Sequence, residues 1–342
     1  MNNPPRKSPA KKSPAKKSLT KKSPVDKKSS AKKKAAFPAG MEAAMLQFQQ
    51  LMAAGDLIAQ DDLDALLISL QGPLVGDGLT DPEAEARDEA QQLAFDAMEA
   101  ETDAQAIKLA NRALKLYPDC VDALVVLAEI ESESPRKLIE ALKKAVAAGE
   151  RSLGATYIRQ NTGHFWGLLE TRPYMRALGQ LANQLQAQGI KLDAIQLYEK
   201  MLTLNPNDNQ GVRDPLLGLY LATNNLQAAR RVLKDFEEDA SAAFAWARVL
   251  ERVLSADLPA AEAALSLARS ANRFVELYLT GQRKLPGELP EMYSPGSDEE
   301  AILVLENLAS AWADQKQAAL WLIDQLAKES PQAPTRKLKL VH

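Results

Sequence analysis

With 342 residues, 46% hydrophobic and 25% charged, and a formal net charge of −3, the chain has the composition of a large globular protein with a substantial core. Two histidines, His164 and His342, and one cysteine, Cys120, leave no basis for a multi-histidine metal site, a histidine-based triad or an internal disulfide. No apolar run approaches the ~20 residues that cross a bilayer, and the first residues lack the apolar core of a signal peptide, so the expectation is a cytoplasmic protein with no integral membrane segment.

Charge is divided unevenly. Residues 1–36 hold 13 Lys or Arg against one acid, Asp26, a net of +12, whereas the remaining 306 hold 29 basic and 44 acidic residues, a net of −15. The tail repeats a Lys-Lys-Ser-Pro theme through Lys11, Lys12, Lys16, Lys17, Lys21, Lys22, Lys27, Lys28, Lys32, Lys33 and Lys34. It has no spaced apolar residues with which to bury a face, so it is expected to be disordered. Such a run binds DNA or RNA phosphates by counterion release, with little base selectivity; its other reading is a solubilising extension.

Residues 37–82 form a second region. Met41, Met45, Phe48, Leu51 and Met52 recur at helical spacing, as do Leu63, Leu66, Leu67 and Leu70. They predict a helical cap over the first repeat, the other reading being a pliable methionine-rich partner surface. Gly72 to Pro82 reads as a linker, with Thr80 or Asp81 placed to cap the next helix.

Residues 83–284 carry the pattern of tetratricopeptide-like helix hairpins. Counting back from Pro118 over a repeat of about 34 residues puts Ala90, Leu93, Ala94 and Ala97 on one helix and Ala106, Ala110 and Ala113 on the next. Counting back from Pro206 gives Leu178, Leu181, Ala182 and Leu185, then Ala194, Tyr198 and Met201, with Gly189 at the turn. Ala194 is small where two helices cross. Pro215 to Ala222 with Leu226 to Phe236, and Ala242 to Leu254 with Pro259 to Ala271, predict two further pairs. Leu285 to Gly296 is a linker, and a last pair, Asp298 to Ala313 and Gln315 to Leu326, completes a region over 285–328 before a flexible end at 329–342. Nowhere do β-branched residues alternate with period 2, so the fold class is all-α, a helical-repeat solenoid with a basic tail.

Two motifs flank the central hairpin. In LNPNDNQG, Leu204 closes the core, Asn205-Pro206 stops a helix, Asn207 is expected to cap the next one with Gln210 reaching back to it, and Gly211 to permit close backbone approach. In ETRPYMR, Pro173 directs Arg172 toward an extended conformation and starts a helix with Tyr174 and Met175 inward and Arg176 outward. Arg172, Arg176 and Arg213 either form a cationic patch for a carboxylate or phosphate, or pair with acids such as Glu170 and Asp208. His164 beside Phe165 and Trp166 reads as capping an aromatic cluster. Cys120 reads as a packing residue, and the acidic pairs Glu237-Glu238 and Glu299-Glu300, diverging by about 100° on a helix, as solvated surface.

HFWGLLETRPYMRA, the LNPNDNQG turn, NRFVELYLTGQRKLPGELPEMYSPGSDEEA and AWADQKQAALWL together resemble a family of bacterial tetratricopeptide-like proteins of unknown function. That family is in turn similar to the suppressor of tumorigenicity 7 proteins of animals. The resemblance covers about residues 88 to 328 and implies an all-helical repeat fold with no established activity. The chain departs from the pattern at Asp214-Pro215, where an apolar continuation is expected, so this helix is expected to start later. The expected role is a non-catalytic adaptor that needs no cofactor and binds a protein or peptide on its concave surface. The alternatives are a nucleic-acid-associated protein acting through its tail and an unrecognised enzyme.

Overall fold

The computed structural model of the chain describes residue 42 and residues 82–329. The expectations for the tail of residues 1–36, for the apolar stripes between Met41 and Leu70, for the Thr80 or Asp81 cap, and for the end of the chain with His342 lie outside the described residues.

The described residues hold fourteen α-helices and no strand. In order these are α1 (Pro82–Glu99), α2 (Asp103–Leu116), α3 (Val121–Glu131), α4 (Pro135–Leu153), α5 (Ala155–Gln160), α6 (Arg172–Ala187), α7 (Lys191–Leu204), α8 (Arg213–Ala222), α9 (Leu226–Asp235), α10 (Ala242–Leu254), α11 (Leu258–Ala271), α12 (Phe274–Leu279), α13 (Asp298–Asp314) and α14 (Lys316–Glu329). Two 3₁₀ turns, Phe165–Gly167 and Leu169–Thr171, separate α5 from α6. None of the described helices is long and apolar enough to cross a membrane.

Sequential helices pair as hairpins, α1 with α2, α3 with α4, α6 with α7, α8 with α9 and α10 with α11. Leading helices of successive pairs also touch, α1 with α3, α3 with α6, and α8 with α10. The small positions counted from Pro118 and Pro206 are the contact positions: Ala90, Ala94, Ala110 and Ala113 are fully buried, as are Leu178, Ala182 and Ala194. Methyl side chains let the helix axes come close, and the residues three and four away fill the groove. Gly189 takes φ of 72° to close the α6/α7 turn, as its position predicts.

The pair α3/α4 was not anticipated from the sequence. Its signals are short: Ser134 accepts a hydrogen bond from the Lys137 amide, Pro135 starts α4, and Ile139, Leu142, Ala145 and Val146 form its buried stripe. Helix α3, VDALVVLAEIE, is apolar on nearly all sides because α1, α2, α4 and α6 all pack on it, so it lacks the amphipathic period that marks α2, α4 and α6.

Beyond the linker, α13 packs on α8 as well as on α10. The α8/α13 crossing is so tight that a Cβ at Gly218 would lie 2.2 Å from the Asn307 carbonyl oxygen. Buried Asn272 fastens the return of the chain: its side chain donates to the Ser297 carbonyl at 2.7 Å and to Glu300 at 2.8 Å, and its carbonyl accepts from Trp246 Nε1 at 3.0 Å. Trp246 meets Trp312 edge-on, with centroids 6.5 Å apart. Glu300 is therefore a structural acceptor rather than a purely solvated acid, and Glu237-Glu238 sit in the turn after α9 rather than on a helix.

Gly218→Ala is expected to destabilise the protein by about 1–3 kcal/mol, because the obstacle is backbone and cannot rotate away. Ala194→Trp, at a fully buried crossing, should cost at least as much. Denaturant unfolding followed by circular dichroism measures both, and an unchanged midpoint for Gly218→Ala would show that the two helices separate freely.

Candidate functional site

The chain enters α6 through the two 3₁₀ turns, and Thr171 Oγ1 donates to the Leu168 carbonyl at 2.8 Å to fix the second of them. Arg172, expected to be extended, is the first residue of α6 with φ −63° and ψ −38°. What overrides the steric preference of a residue before proline is its side chain: Nε donates to the Trp166 carbonyl at 3.1 Å and the guanidinium lies 5.0 Å from the Trp166 ring centroid. Pro173 occupies the next position, where its missing amide proton has no helical partner to lose. Tyr174 and Met175 are buried, as expected. Tyr174 packs over Gly149, where a Cβ would lie 2.6 Å from the ring, and its hydroxyl meets Glu150 at 3.0 Å.

Arg176 points inward rather than outward. Its Nε donates to Asp122 Oδ1 at 2.9 Å, a second nitrogen bonds Asp122 Oδ2, and the third donates to Glu42 at 2.7 Å. Gln91 of α1 donates to the same Asp122 at 2.7 Å, and the Phe95 ring centroid lies 5.9 Å from the guanidinium. Side-chain exposures of 16% for Arg176, 0% for Asp122 and 5% for Glu42 make this a desolvated network. Burial pulls the Arg176 pKa down, but Asp122 and then Glu42 outweigh it, so the guanidinium stays charged. Arg172, one turn earlier on α6, is lowered by burial, with Glu42 opposing that shift and Arg176 adding to it.

Beside the network lies a cavity of about 230 Å³, bounded by Arg87, Phe95, Tyr117, Tyr157, Tyr174 and Glu42. Cys120 also lines it; burial pushes the thiol up to about 12, so this sulfur packs rather than attacks. His164 is exposed at the start of the first 3₁₀ turn, beside buried Phe165. Among the described residues no group of three or more His, Cys, Asp and Glu is arranged to hold a metal ion.

Arg213 belongs to a different cluster. The turn into α8 is held by Asp208, not Asn207: the N-cap position is Val212, and Asp208, at φ 50°, accepts from the amides of Val212 at 2.7 Å and of Arg213, the first helical residue, at 3.1 Å. Pro206 and Asn207 are exposed, while Gln210 donates to the Met175 carbonyl at 3.3 Å instead of closing a capping box. Aspartate replaces asparagine in this turn because its two oxygens take both amides and still meet Arg213, whose other contact is Asp239 at 2.9 Å. Gly211 adopts φ 67° and a Cβ there would meet nothing within 4 Å, so turn conformation rather than close approach explains the glycine. With that turn in place α8 starts at Arg213, not later, and absorbs Asp214-Pro215 into its first turn. Arg213 also faces the Phe236 ring at 5.0 Å.

Of the sequence-derived residues, then, Arg172 and Arg176 share one face of α6 and Arg213 joins separate partners. Ala194 and Tyr198 are core, with the Tyr198 hydroxyl donating to Asn183 at 2.7 Å. Sequence reasoning missed Glu42, Gln91 and Asp122. Asp122 reads as an ordinary acid in a first turn, and nothing local marks a glutamate within MEAAMLQF as a buried ligand. Compared with known proteins, the chain matches no family model, and no curated protein matches it.

Next to Arg213, Asp214 is a buried carboxyl raised to about 6 by desolvation, which Arg213 opposes and Asp239 and Asp208 reinforce. A carboxyl raised above its ordinary 3.8 keeps its proton longer in the folded state. Its contribution to stability is therefore complete below that value and lost as the pH rises through about 6. Asp214→Asn should be more stable than the unmodified protein by about 1–3 kcal/mol at pH 7.5, with the difference vanishing near pH 4. Paired denaturation curves across this range test it; a pH-independent difference would mean that Asp214 is not the titrating group.

Proposed function

We propose that this protein is a non-catalytic interaction scaffold, a cytoplasmic solenoid of tetratricopeptide-like repeats that holds a peptide or protein partner on the face formed by its leading helices. One observation carries the reading. Gln91 of α1, Asp122 of α3 and Arg176 of α6, each from the leading helix of its pair, converge in one buried network that already receives a side chain, Glu42, from a distant part of the chain. The cavity beside them offers aromatic walls of the kind that seat a partner's anchor residue. Membership in the bacterial tetratricopeptide-like family, with its kinship to the suppressor of tumorigenicity 7 proteins, is part of the same proposal and rests on the quoted motifs.

Affinity capture with the full chain and with residues 37–342 is expected to recover the same stoichiometric partner. Arg87→Ala with Tyr157→Ala alters two cavity walls outside the buried core, so the melting temperature should hold while recovery falls at least about tenfold, the loss of one good contact. Equal recovery by that variant would move the binding surface elsewhere.

The net charge of +12 over residues 1–36 favours a second reading, sequence-independent binding to nucleic acid. Affinity for unrelated duplexes should then be similar, fall with a log–log salt slope of about −0.9 per phosphate neutralised, and disappear on deleting residues 1–36. Tail-independent binding, or preference for one sequence, would contradict it.

A further inference from the structure

The acidic surplus of the chain is confined to one stretch of it. Residues 37–131 hold 19 acids against four bases, Arg87 and three on α2, a net of −15, whereas residues 132–342 hold 25 of each. On α1, Glu85, Asp88, Glu89, Asp96 and Glu99 fall within an arc of about 100° at 3.6 residues per turn, and all but the half-buried Asp88 are exposed. Asp88 stands at the edge of that arc and also lines the cavity, so the acidic face of α1 leads into it.

The cavity is walled by the rings of Phe95, Tyr117, Tyr157 and Tyr174. The three hydroxyls are engaged by Ser152, Glu170 and Glu150 respectively, so ring surface is what these side chains offer a guest. Two of the rings already face a cation of this chain, Phe95 with Arg176 at 5.9 Å and Tyr174 with Lys200 at 5.3 Å. Charge agrees with that chemistry. The lining acids are Glu42, Asp88, Asp119 and Glu170, and the lining cation is Arg87. Their bonded neighbours add Asp122 and Glu150 against Arg151, Arg176 and Lys200, so six acids meet four cations, and Arg172, which shares α6 with Arg176, makes a fifth. Residues 37–81 hold seven acids and no Lys or Arg, so the segment that supplies Glu42 brings no cation. Arg87 is exposed, and what such a residue lends a wall is its aliphatic stem rather than its head group. At about 230 Å³ the cavity is smaller than the roughly 300–1,000 Å³ of small-molecule pockets and suits a single side chain.

We propose that this cavity seats a lysine or arginine side chain from a basic segment of a partner protein, with the acidic face of α1 taking the cations that flank it. The inference rests on the scaffold reading above and supplies the partner's chemistry. The rings attract the guest cation inside the cavity, where water is displaced, and the exposed acids steer its approach, an effect that salt screens.

The test uses the full chain and an end-capped hexalysine peptide carrying a neutral dye, followed by fluorescence anisotropy at low salt. Residues 1–36 are present in every variant, so their effect is common to all. Glu85→Gln with Glu89→Gln and Asp96→Asn is expected to weaken binding about fivefold or more in aggregate, each exposed charge contributing little singly. Tyr157→Ala should weaken it about threefold or more, the worth of one cation–ring contact, whereas Tyr157→Phe keeps the ring and should bind as the parent does. Ser152→Leu, which fills the cavity from α4, should weaken binding likewise and carries the test if Tyr157→Ala does not fold. Asp235→Asn with Glu237→Gln and Glu238→Gln, three exposed acids at the end of α9 and in the turn after it, should leave binding unchanged. An equal loss in that control, which marks attraction to net charge alone, overturns the proposal, as does full binding by folded Tyr157→Ala or Ser152→Leu. Failure of the scaffold reading is read separately. A partner captured in full by the α1 variant but lost with Arg87→Ala and Tyr157→Ala would keep the scaffold and overturn the cationic guest. Hexalysine binding that responds as expected, while that cavity variant captures its partner undiminished, would overturn the scaffold reading alone.

Discussion

A buried ion pair between Asp122 and Arg176 organises the first half of the described structure. Taking both charges out of water costs several kcal/mol each unless geometry and extra hydrogen bonds compensate, and here the pair is doubly bonded with Gln91 and Glu42 completing the shell. An apolar pair of similar volume would serve stability as well, but it would tolerate sliding. A two-pronged guanidinium–carboxylate contact does not, so it holds α1, α3 and α6 in one register relative to each other. The α6 N-terminus obeys the same logic, because Arg172 is drawn into the helix by Trp166 and thereby sets where Arg176 falls one turn later.

The second half is held by shape rather than by charge. Gly218 admits the backbone of α13 onto α8, and Asn272 satisfies four partners at once: the Ser297 carbonyl, Glu300, the Phe274 amide and the Trp246 indole. These contacts fix the last helix pair on α8 and α10 although a long irregular linker precedes it. The result is that α13 covers part of α8 and α10, while the polar face around Arg176 lies among α1, α3 and α6.

Around Arg176 the charges are matched, and the one thiol nearby is held protonated by burial. Arg213, the third cation of the two motifs, instead serves the turn into α8, where Asp208, Asp239 and two phenylalanine rings surround it. The two motifs that stand out in the sequence thus lead to two separate clusters, one around Arg176 and one around Arg213.

The sequence by itself determined the helical class, the pairing of α1/α2, α6/α7, α8/α9, α10/α11 and α13/α14, and the small buried residues of α1/α2 and α6/α7, because period and turn chemistry are local properties written within a few residues. It missed α3 because a helix packed on nearly all sides loses its period, and with α3 unread the clear stripe of α4, Ile139, Leu142, Ala145 and Val146, had no partner helix to pair with. It gave the turn before α8 to Asn207 rather than Asp208, because both residue types suit such a turn and only the position of Arg213 and the left-handed backbone choose between them. The inward turn of Arg176, the burial of Asp122 and the arrival of Glu42 were decided by tertiary structure alone. Each depends on partners 54 and 134 positions away, and electrostatic pairing at that separation leaves no periodic trace in the chain.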